Sequence, residues 1–522
     1  MKTIDYFKRN WLMLFIFMQP LLDIFSYFQT KIIGSSFTWI IRILCLALIC
    51  LYSFCKSKDK KKIILYCLPF ILFYIIHILN LYRVGHLSLF QDTRYFVTVF
   101  QMPILTIMLI DLYKNKLIDI NQIKKGVIMS FLMIFFSLVL SYITNSYEHT
   151  YRTIYGNLYG LSGWASSANT HAMILAILCP LYLYVITEKK SLILNILSFF
   201  MVFVTLYFNG TKSCYLALIS IGIVFSYIFL TNIKKNKINK FSLLISLVFL
   251  CLSILLYEDS ATYRRANDKK DNIHKTENQI KDNSSSSTTT KPSTDSENDL
   301  TLTKPNNSNV KPSENKSNNS STSTPENKEI NKNSTYEIIC EESFCANSDF
   351  LILKSSYLYR KLMLIHSPKL VYEELKGMIN YETISDNRLV KKTNAKIYFD
   401  NSDSITRLFG IGYSIVEKDN LNLENDLTAI FYYYGYFGIV LYLSFIINFI
   451  ILILMTRKLD LKIIYDKNLI LLTFIICLAI VGGEYSGAFL RKPNASIYLT
   501  LTLILCFENI NTNKKNKSKK AN

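Results

Sequence analysis

The sequence AMILAILCPLYLYVITEKKS, residues 172–191, is apolar as far as Thr187 and then changes abruptly to charged residues. An apolar run of about 20 residues, wound as a helix, is long enough to cross the roughly 30 Å hydrocarbon core of a bilayer. Runs of similar length recur along the whole 522-residue chain, which is 51% hydrophobic. The sequence therefore predicts an all-α, polytopic membrane protein.

Twelve apolar runs are predicted to span the membrane. They cover residues 11–29, 36–55, 63–82, 94–113, 125–145, 166–187, 191–208, 211–230, 240–257, 427–455, 468–485 and 494–508. Lys-rich loops such as TEKKS follow alternate spans, whereas loops on the opposite side, such as QTKIIGSS, hold few Lys or Arg residues. Because positively charged loops stay inside the cell, we expect a multi-pass protein of the cell membrane with both termini in the cytoplasm.

The formal net charge of +20 is distributed among these short loops and the basic C-terminal tail. A soluble protein this basic would suggest nucleic acid as a partner. Here the positions of the Lys and Arg residues are explained by membrane topology, so we expect the lipid bilayer as a partner and no nucleic acid.

Four regions follow from the composition. Residues 1–257 hold spans one to nine, residues 258–347 form an external insertion, residues 348–426 form an external loop, and residues 427–522 hold the last three spans and the tail. The insertion is rich in Ser, Thr, Asn, Lys and Pro and poor in apolar residues, so we predict that it is mostly disordered and has no catalytic role. Within it, Cys340 and Cys345 either form a small disulfide or remain free thiols.

The external loop 348–426 regains aromatic and aliphatic residues. The stretch DFLILKSSYLYRKLMLIHSPKLVYEELKGMI, residues 349–379, predicts two short amphipathic helices broken near Pro368. Such helices either lie on the outer leaflet or cover a cavity. The loop is therefore predicted to be partly helical, in contrast to the insertion before it.

Ionisable residues in the spans are concentrated toward the outer side. Asp23 and Arg42 lie at similar depths in neighbouring spans, so they are expected to be able to pair, either at a site or only to brace two helices. His77, Arg94, His171, Lys212 and Glu424 also fall in or near the outer half. A transport path would need polar residues at both depths, so the pattern favours a site open to the outside.

Several motifs occur in order on the outer side. They are LSGWASSANTHAMILAILCPLYL at 161–183, NGTKSCYLAL at 209–218, SDNRLV at 385–390, LFGIGYS at 408–414 and ENDLTAIFYYYGYFG at 424–438. This order resembles the superfamily of O-antigen ligases and O-antigen polymerases, which are bacterial membrane glycosyltransferases. The resemblance extends from about residue 156 to residue 442, without the insertion.

The last motif departs from the family pattern at its first residue. In the ligases it is similar to His-Asn, nine residues, then Gly-x-x-Gly, and here Asn425 is followed by nine residues and then by Gly435 and Gly438. Glu424 stands at the position of the family histidine, which implies that Glu424 is the catalytic base. A carboxylate suits that role if partial burial raises its pKa. The alternative is that Glu424 and Asp426 only cap a helix N-terminus.

The resemblance also implies cationic and polar substrate contacts. Lys212 stands where the family has a basic residue after a Gly-containing turn, and Arg388 resembles the loop arginine that lies near the lipid pyrophosphate. We therefore predict Glu424 and Arg388 as catalytic residues. Candidate substrate-binding residues are Lys212, Asn425, Asp426, Arg407 and Asn169. For Arg407 and Arg491 an ordinary loop cation is the alternative.

The function implied by the resemblance is transfer of a glycan from a polyprenyl pyrophosphate carrier to an acceptor sugar on the outer face of the membrane. Arg388 and Lys212 would hold the pyrophosphate while Glu424 takes the proton of the attacking hydroxyl, with inversion at the anomeric carbon. No Asp-x-Asp or His-rich metal motif is present in the external segments, so we expect neither a metal nor another cofactor. The alternative is a polysaccharide flippase or transporter without transferase activity.

The acceptor distinguishes a ligase from a polymerase, and the motifs do not separate the two. The richness in Lys, Asn, Ile and Tyr is typical of low-GC Gram-positive bacteria, which have no lipopolysaccharide. We therefore expect polymerisation of a capsular or cell-wall polysaccharide, with other polysaccharide-assembly proteins as candidate partners.

Overall fold

The computed structural model describes most of the chain outside the insertion. The described residues are 2–152, 157–233, 237–268, 270–271, 353, 356–379, 386–456, 467–487 and 489–521. Most of the predicted insertion, including Cys340 and Cys345, lies outside these residues, so its disorder there and the state of the two cysteines stay predictions.

Long helices make up most of the described chain. They are α1 (Lys2–Ile33), α2 (Thr38–Lys56), α3 (Lys60–Arg83), α4 (Leu89–Lys114), α5 (Ile120–Ile143), α6 (Ala168–Thr187), α7 (Leu192–Asn209), α8 (Lys212–Thr231), α9 (Lys237–Leu255), α16 (Asp426–Thr456), α17 (Lys467–Ser486) and α18 (Pro493–Ala521). All of these except α18 are long and apolar enough to cross a membrane. The predicted all-α, polytopic membrane fold is thus confirmed.

The twelfth predicted span, residues 494–508, corresponds to the first half of α18. Its apolar residues from Ala495 to Cys506 are almost fully buried against the other helices, and Lys and Asn residues follow from position 513 onward. The helix contacts α4, α6 and α17. Eleven helices therefore meet the length and composition of a span among the described residues, and α18 packs among them.

Helix α6 lies at the centre of the bundle. Residues from Ala172 to Ile186 are buried on every side, and α6 packs against α5, α7, α8, α17 and α18. A helix that is apolar all round is typical of a membrane span or of a protein interior, and here neighbouring helices cover α6. The first turn of α6 lies at the end of the bundle where α2, α4, α8, α16 and α18 also begin. We call this end of the bundle the cavity end.

A two-stranded antiparallel sheet lies between α5 and α6, where the sequence analysis predicts only a loop. Strand β1 (Glu148–Arg152) pairs with β2 (Leu158–Gly163), with Tyr151 opposite Tyr159. The strands are too short for their alternating pattern to stand out beside long apolar runs. The hairpin belongs to the cavity end.

Short helices follow between α9 and α16. They are α10 (residues 261–268), α11 (Tyr357–Ile365), α12 (Pro368–Leu375), α13 (Asn387–Asp400), α14 (Ser404–Phe409) and α15 (Ser414–Lys418). The two helices predicted on either side of Pro368 are confirmed as α11 and α12. Ser367 caps α12, since its hydroxyl accepts from the amide of Leu370 at 3.3 Å, and Pro368 occupies the first turn.

The apolar faces of α11 and α12 are buried among the short helices between α9 and α16. Tyr359, Leu362, Val371 and Leu375 pack with Val390 of α13 in a small hydrophobic cluster that is separate from the bundle core. The two helices thus support α13 rather than offering their apolar faces to lipid. Helix α13 carries Arg388.

Helix α16 is interrupted at Gly435, which has φ 68° and ψ −169°. The break frees carbonyl groups for the preceding loop: the amide of Ile411 donates to the Tyr432 carbonyl, and the amide of Gly412 donates to that of Tyr433, both at 3.1 Å. A Cβ atom on Gly435 would lie 2.5 Å from a backbone oxygen of Arg407. Only glycine fits this approach without displacement, so the LFGIGYS and YYYGYFG motifs are joined here.

Candidate active site

A cavity of about 1050 Å³, the large cavity, opens at the cavity end of the bundle. Five of the seven predicted site residues line it: Glu424, Arg388, Lys212, Asn425 and Asn169. They come from α6, α8, α13 and the loop before α16. The convergence of a carboxylate with cations from two separate segments, on which the sequence-based hypothesis depends, is present in the structure.

A second cavity of about 570 Å³, the small cavity, lies beside the first. Aromatic and amide side chains line it, among them Trp39, Tyr95, Tyr413 and Asn422, together with His171. Glu424, Asn169 and Ser486 are the residues that line both cavities. Of these three, only Glu424 carries an ionisable side chain that can act as a proton acceptor.

The two carboxylate oxygens of Glu424 are held by different cations of α13. The Arg388 Nε donates to Oε2 at 3.0 Å, and the Lys391 Nζ donates to Oε1 at 2.6 Å. Arg388 lines the large cavity and Lys391 lines the small one. Residues three apart share a helix face, so α13 places one cation on each side of Glu424.

The guanidinium of Arg388 is fixed in place by further acceptors. It donates to the backbone carbonyls of Tyr485 at 2.5 Å and Ser486 at 3.1 Å, at the end of α17. The Asp386 side chain caps α13 by accepting from the Arg388 amide at 2.9 Å. Arg388 is therefore oriented before any substrate binds.

The protonation of Glu424 differs from the sequence-based expectation. Burial acts to raise the pKa of Glu424, as expected, but the hydrogen bonds and charges of Lys391 and Arg388 outweigh burial and hold this pKa below its ordinary value. The condition of a pKa raised by burial is therefore not met in the substrate-free protein, because Lys391 and Arg388 both reach the carboxylate. Glu424 is ionised and able to accept a proton.

The backbone at Glu424 is held by Arg491. One guanidinium nitrogen of Arg491 donates to the carbonyls of Leu423 at 3.0 Å and Glu424 at 2.5 Å. Gly487 approaches so closely that a Cβ there would lie 2.0 Å from the Glu424 carbonyl oxygen. The Asn425 amide donates to the Glu484 carbonyl at 2.6 Å, which ties the same segment to the end of α17.

Asp426 is not placed to bind substrate, contrary to the prediction. Its side chain is 0% exposed and lines neither cavity. The carboxylate accepts from the amides of Phe489 and Leu490 at 2.8 and 2.7 Å and from the Arg491 Nε at 2.7 Å. These bonds use its acceptor capacity inside the protein, so Asp426 joins the start of α16 to the loop before α18.

Arg407 also lies away from both cavities, contrary to the prediction. Its guanidinium donates to the carbonyl of Asp400, and its own carbonyl packs at the Gly435 break. Arg407 is an exposed cation on the short helix α14, which is close to the alternative of an ordinary loop cation. No described contact connects it with Glu424.

Three further cations line the large cavity beside Arg388. The side chains of Lys212 and Lys392 have no carboxylate partner among the described residues, and Arg265 stacks on the ring of Tyr151 at 3.4 Å. Arg265 belongs to α10, at the start of the region 258–347 that is predicted to be mostly disordered and without a catalytic role. Within that region, residues 261–268 form a helix beside the cavity.

Glu484 of α17 lines the large cavity but serves as a helix cap. It accepts from the amides of Leu427 and Thr428 at 3.0 and 3.1 Å and from the Thr428 hydroxyl at 2.5 Å. A carboxylate at this position satisfies free amides at the N-terminus of α16. The capping role that the sequence analysis considered for Glu424 is thus performed by Glu484.

The predicted pairing of Asp23 with Arg42 is confirmed, with 2.7 Å between the Arg42 guanidinium and the carboxylate. The Asn494 amide donates to the same carboxylate at 2.9 Å, and all three residues line the small cavity. His77, by contrast, lies outside both cavities, and its Nδ1 bonds to the carbonyl of Phe409 at 2.7 Å. His77 therefore supports the loop before α15.

Sequence reasoning missed Lys391, Lys392, Arg265 and Glu484. Lys391 lies one helical turn after Arg388, which would have been visible if residues 387–400 had been predicted as a helix. Arg265 and Glu484 stand in no motif, and only the packing of α10 and α17 brings them to the cavity. Among the described residues no group of three His, Cys, Asp or Glu side chains forms a metal-binding cluster.

Comparison with known proteins agrees with this architecture. No curated protein and no solved structure matches the chain. A family model described as O-antigen ligase like membrane protein matches residues 5–512, nearly the whole chain including all the described residues at both cavities. The chain belongs to the family of O-antigen ligase-like membrane proteins.

Proposed function

We propose that this protein is a glycosyltransferase that moves a glycan from a polyprenyl pyrophosphate to a hydroxyl group of an acceptor sugar, at the outer face of the membrane. The single observation that carries the proposal is the position of Glu424, whose carboxylate lines both cavities. A transfer between two bound substrates requires a proton acceptor at the point where they meet.

The large cavity suits the lipid-linked donor. Lys212, Arg388 and Lys392 supply positive charge for a pyrophosphate, and Arg388 offers the planar guanidinium that matches phosphate oxygens. Val481 and Tyr485 of α17 also line this cavity and are 58% and 53% exposed on the surface of the bundle. This exposed edge allows the polyprenyl chain to stay in the lipid while its headgroup enters.

The small cavity suits the acceptor. It offers ring faces of Trp39, Tyr95 and Tyr413 and the amides of Asn422 and Asn494, and these groups bind sugar rings and hydroxyl groups. An acceptor bound there presents a hydroxyl to Glu424 on the side opposite to the donor. Attack from that side inverts the configuration at the anomeric carbon.

The step balances in atoms and charge. The acceptor oxygen forms a bond with the anomeric carbon, the bond from that carbon to the phosphate oxygen breaks, and Glu424 receives the hydroxyl proton. The leaving polyprenyl pyrophosphate carries the negative charge, which Arg388 and Lys212 stabilise. These fixed cations fill the charge-stabilising role of a divalent ion, and we propose that the reaction needs none.

Donor binding also prepares Glu424. In the absence of substrate, Lys391 and Arg388 hold its pKa low, which makes the carboxylate a weak base. A pyrophosphate in the large cavity competes for Arg388 and weakens its bond to Oε2, so that the pKa of Glu424 rises. The base therefore becomes stronger when the donor is in place.

The composition of the chain, which is typical of low-GC Gram-positive bacteria, favours a polymerase over a ligase. In the polymerase reaction, donor and acceptor are repeat units of one capsular or cell-wall polysaccharide, and the cavity end of the bundle faces outward with both termini in the cytoplasm. A ligase would use the same two cavities with a different acceptor.

The test is reconstitution of the full chain in liposomes, with a lipid-linked repeat unit supplied on the outer side only. We expect longer glycans and released polyprenyl pyrophosphate, inverted linkages by NMR, and unchanged rates in the presence of EDTA. A flippase would move the donor across the bilayer without forming a glycosidic bond. Translocation without any elongated product would overturn the proposal.

A further inference from the structure

The small cavity contains cations that the transfer reaction does not use. Five of its lining residues are basic: Arg42, Arg94, Lys391, Arg491 and Lys492. Asp23 pairs with Arg42, Glu424 with Lys391, and Asp426 with Arg491. Arg94 and Lys492 have no ion-pair partner among the described residues.

Arg94 and Lys492 reach the cavity from opposite ends of the chain. The Arg94 guanidinium lies over the ring of Trp39, 4.4 Å from its centre, which orients the group without neutralising it. Burial, together with the charges of Arg491 and Arg94, holds the pKa of Lys492 below its usual value. The side chains of Arg94 and Lys492 are exposed toward this open cavity, and two like charges near each other raise their mutual electrostatic energy, which an anionic ligand would lower.

Hydrogen-bond acceptors without a partner lie in the same cavity. Oε2 of Glu417 and Oδ1 of Asn422 are buried and have no donor within the described structure. The other oxygen of Glu417 accepts from the hydroxyl of Tyr413 at 3.1 Å. Buried acceptors of this kind are ordinarily satisfied, and a turn of either side chain toward the cavity would bring its oxygen within reach of a sugar hydroxyl group.

Stacked rings provide a flat surface next to these acceptors. Tyr95 and Tyr413 are parallel within 5°, with 3.9 Å between ring centroids, and both line the cavity. Rings, unsatisfied acceptors and unpaired cations together describe a ligand that has hydroxyl groups, a sugar ring face and a negative charge. A phospholipid headgroup supplies the charge without the sugar ring.

We propose that the small cavity selects an acceptor glycan bearing an acidic group, a carboxylate or a phosphate, which Arg94 and Lys492 bind. This inference rests on the proposed function, because it assigns the chemical class of the acceptor in that reaction. Counting Glu417 and Asp426 among the neighbouring carboxylates, one positive charge remains in excess, so one acidic group per bound acceptor segment would complete the site.

The test uses acceptor fragments of the host's own surface polysaccharide in three forms: untreated, carboxyl-reduced and dephosphorylated. The full chain is reconstituted in liposomes of neutral phospholipid with a lipid-linked donor. We expect the acceptor KM to rise at least about tenfold, the usual effect of losing a hydrogen bond to a charged group, in the one treatment that removes the acidic group. An unchanged KM after both treatments would overturn the inference.

Variants then assign the acidic group to its residues. We expect Arg94→Ala and Lys492→Ala to raise KM for the untreated acceptor about tenfold or more while leaving KM for the neutralised acceptor unchanged, and Arg94→Lys to restore part of the preference. The matched controls are Arg407→Ala and Lys418→Ala, exposed cations that line neither cavity. A charge preference that persists in both alanine variants would overturn the assignment.

Two outcomes separate the possible causes of failure. If no form of the acceptor is elongated by the wild-type protein, the proposed function itself fails. If phosphatidylglycerol in the liposomes inhibits transfer, and Arg94→Ala removes that inhibition while the acceptor's charge has no effect, the cavity binds a lipid headgroup and the inference is overturned.

Discussion

Glu424 and Asp426 are two residues apart, both are acidic, and both pair with an arginine. The side chain of Asp426 is 0% exposed, and its arginine, Arg491, is itself buried. The side chain of Glu424 is about one-third exposed and forms ion pairs with both Arg388 and Lys391 at the junction of the two cavities. Charge and sequence position therefore do not distinguish a structural carboxylate from a reactive one, whereas access to a cavity does.

We expect the largest effect, a loss of stability, from a substitution of Asp426, the structural carboxylate of the pair. Asp426→Ala would leave Arg491 buried without its partner, a change that costs about 3–5 kcal/mol. We expect a lower melting temperature and a smaller fraction of monodisperse protein in detergent. Glu424→Gln is the control, and its effect should stay within about 1 kcal/mol because partly exposed ion pairs contribute little. Equal thermal stability of the two variants would contradict the distinction.

A smaller effect, on activity, is expected for Arg388, which bonds to the reactive carboxylate of Glu424. Arg388→Ala should lower kcat/KM for the lipid-linked donor about 10- to 100-fold, since it removes hydrogen bonds from a charged group to the pyrophosphate. The kcat/KM of Arg388→Lys should lie between those of the wild-type protein and Arg388→Ala, because an ammonium group keeps the charge without the planar fork of the guanidinium. Arg407→Ala serves as the matched control. An equal loss in Arg407→Ala would mean that the arginine in the cavity has no special role.

The smallest effect concerns pH. A base must be deprotonated to act, so activity rises with pH through its pKa, and in the wild-type protein the acid limb of kcat/KM should lie below the ordinary glutamate pKa of about 4.3. Lys391→Ala removes a group that holds the pKa of Glu424 down and leaves burial, which raises it, so the acid limb should move to higher pH.

Two further profiles check this interpretation. Lys392 lies next to Lys391 in the chain but does not bond to Glu424, so the acid limb of Lys392→Ala should stay at the wild-type position. In the wild-type protein the acid limb of kcat, which reports the donor-bound state, should lie above that of kcat/KM. A limb that does not move in Lys391→Ala would show that another group is being titrated.

The membrane architecture could be predicted because its signal is long and strong. Each span requires about 20 apolar residues, and the alternation of Lys-rich loops adds an independent check. The helices on either side of Pro368 were also predictable, because Ser367 and Pro368 form a standard helix start. The β1–β2 hairpin and α10 were not, since their few residues carry little periodicity and are stabilised by contacts with distant segments.

The site was predictable only in part, for a related reason. Motifs identified Glu424, Arg388 and Lys212, which the structure brings to one cavity. Asp426 was assigned wrongly because its burial depends on the loop before α18, more than 60 residues away in the chain. Packing also decides that Arg94 and Lys492 share the small cavity, and no local pattern records such a long-range approach.

In the proposed reaction, Glu424 takes the acceptor's proton at the junction of the two cavities. The most direct measurement is the rate of glycan transfer by Glu424→Gln at equal amounts of folded protein, since glutamine has nearly the same shape and cannot accept the proton. We expect the rate to fall about 10²- to 10⁴-fold with donor binding retained. A variant that transfers glycan at more than half the wild-type rate would contradict it.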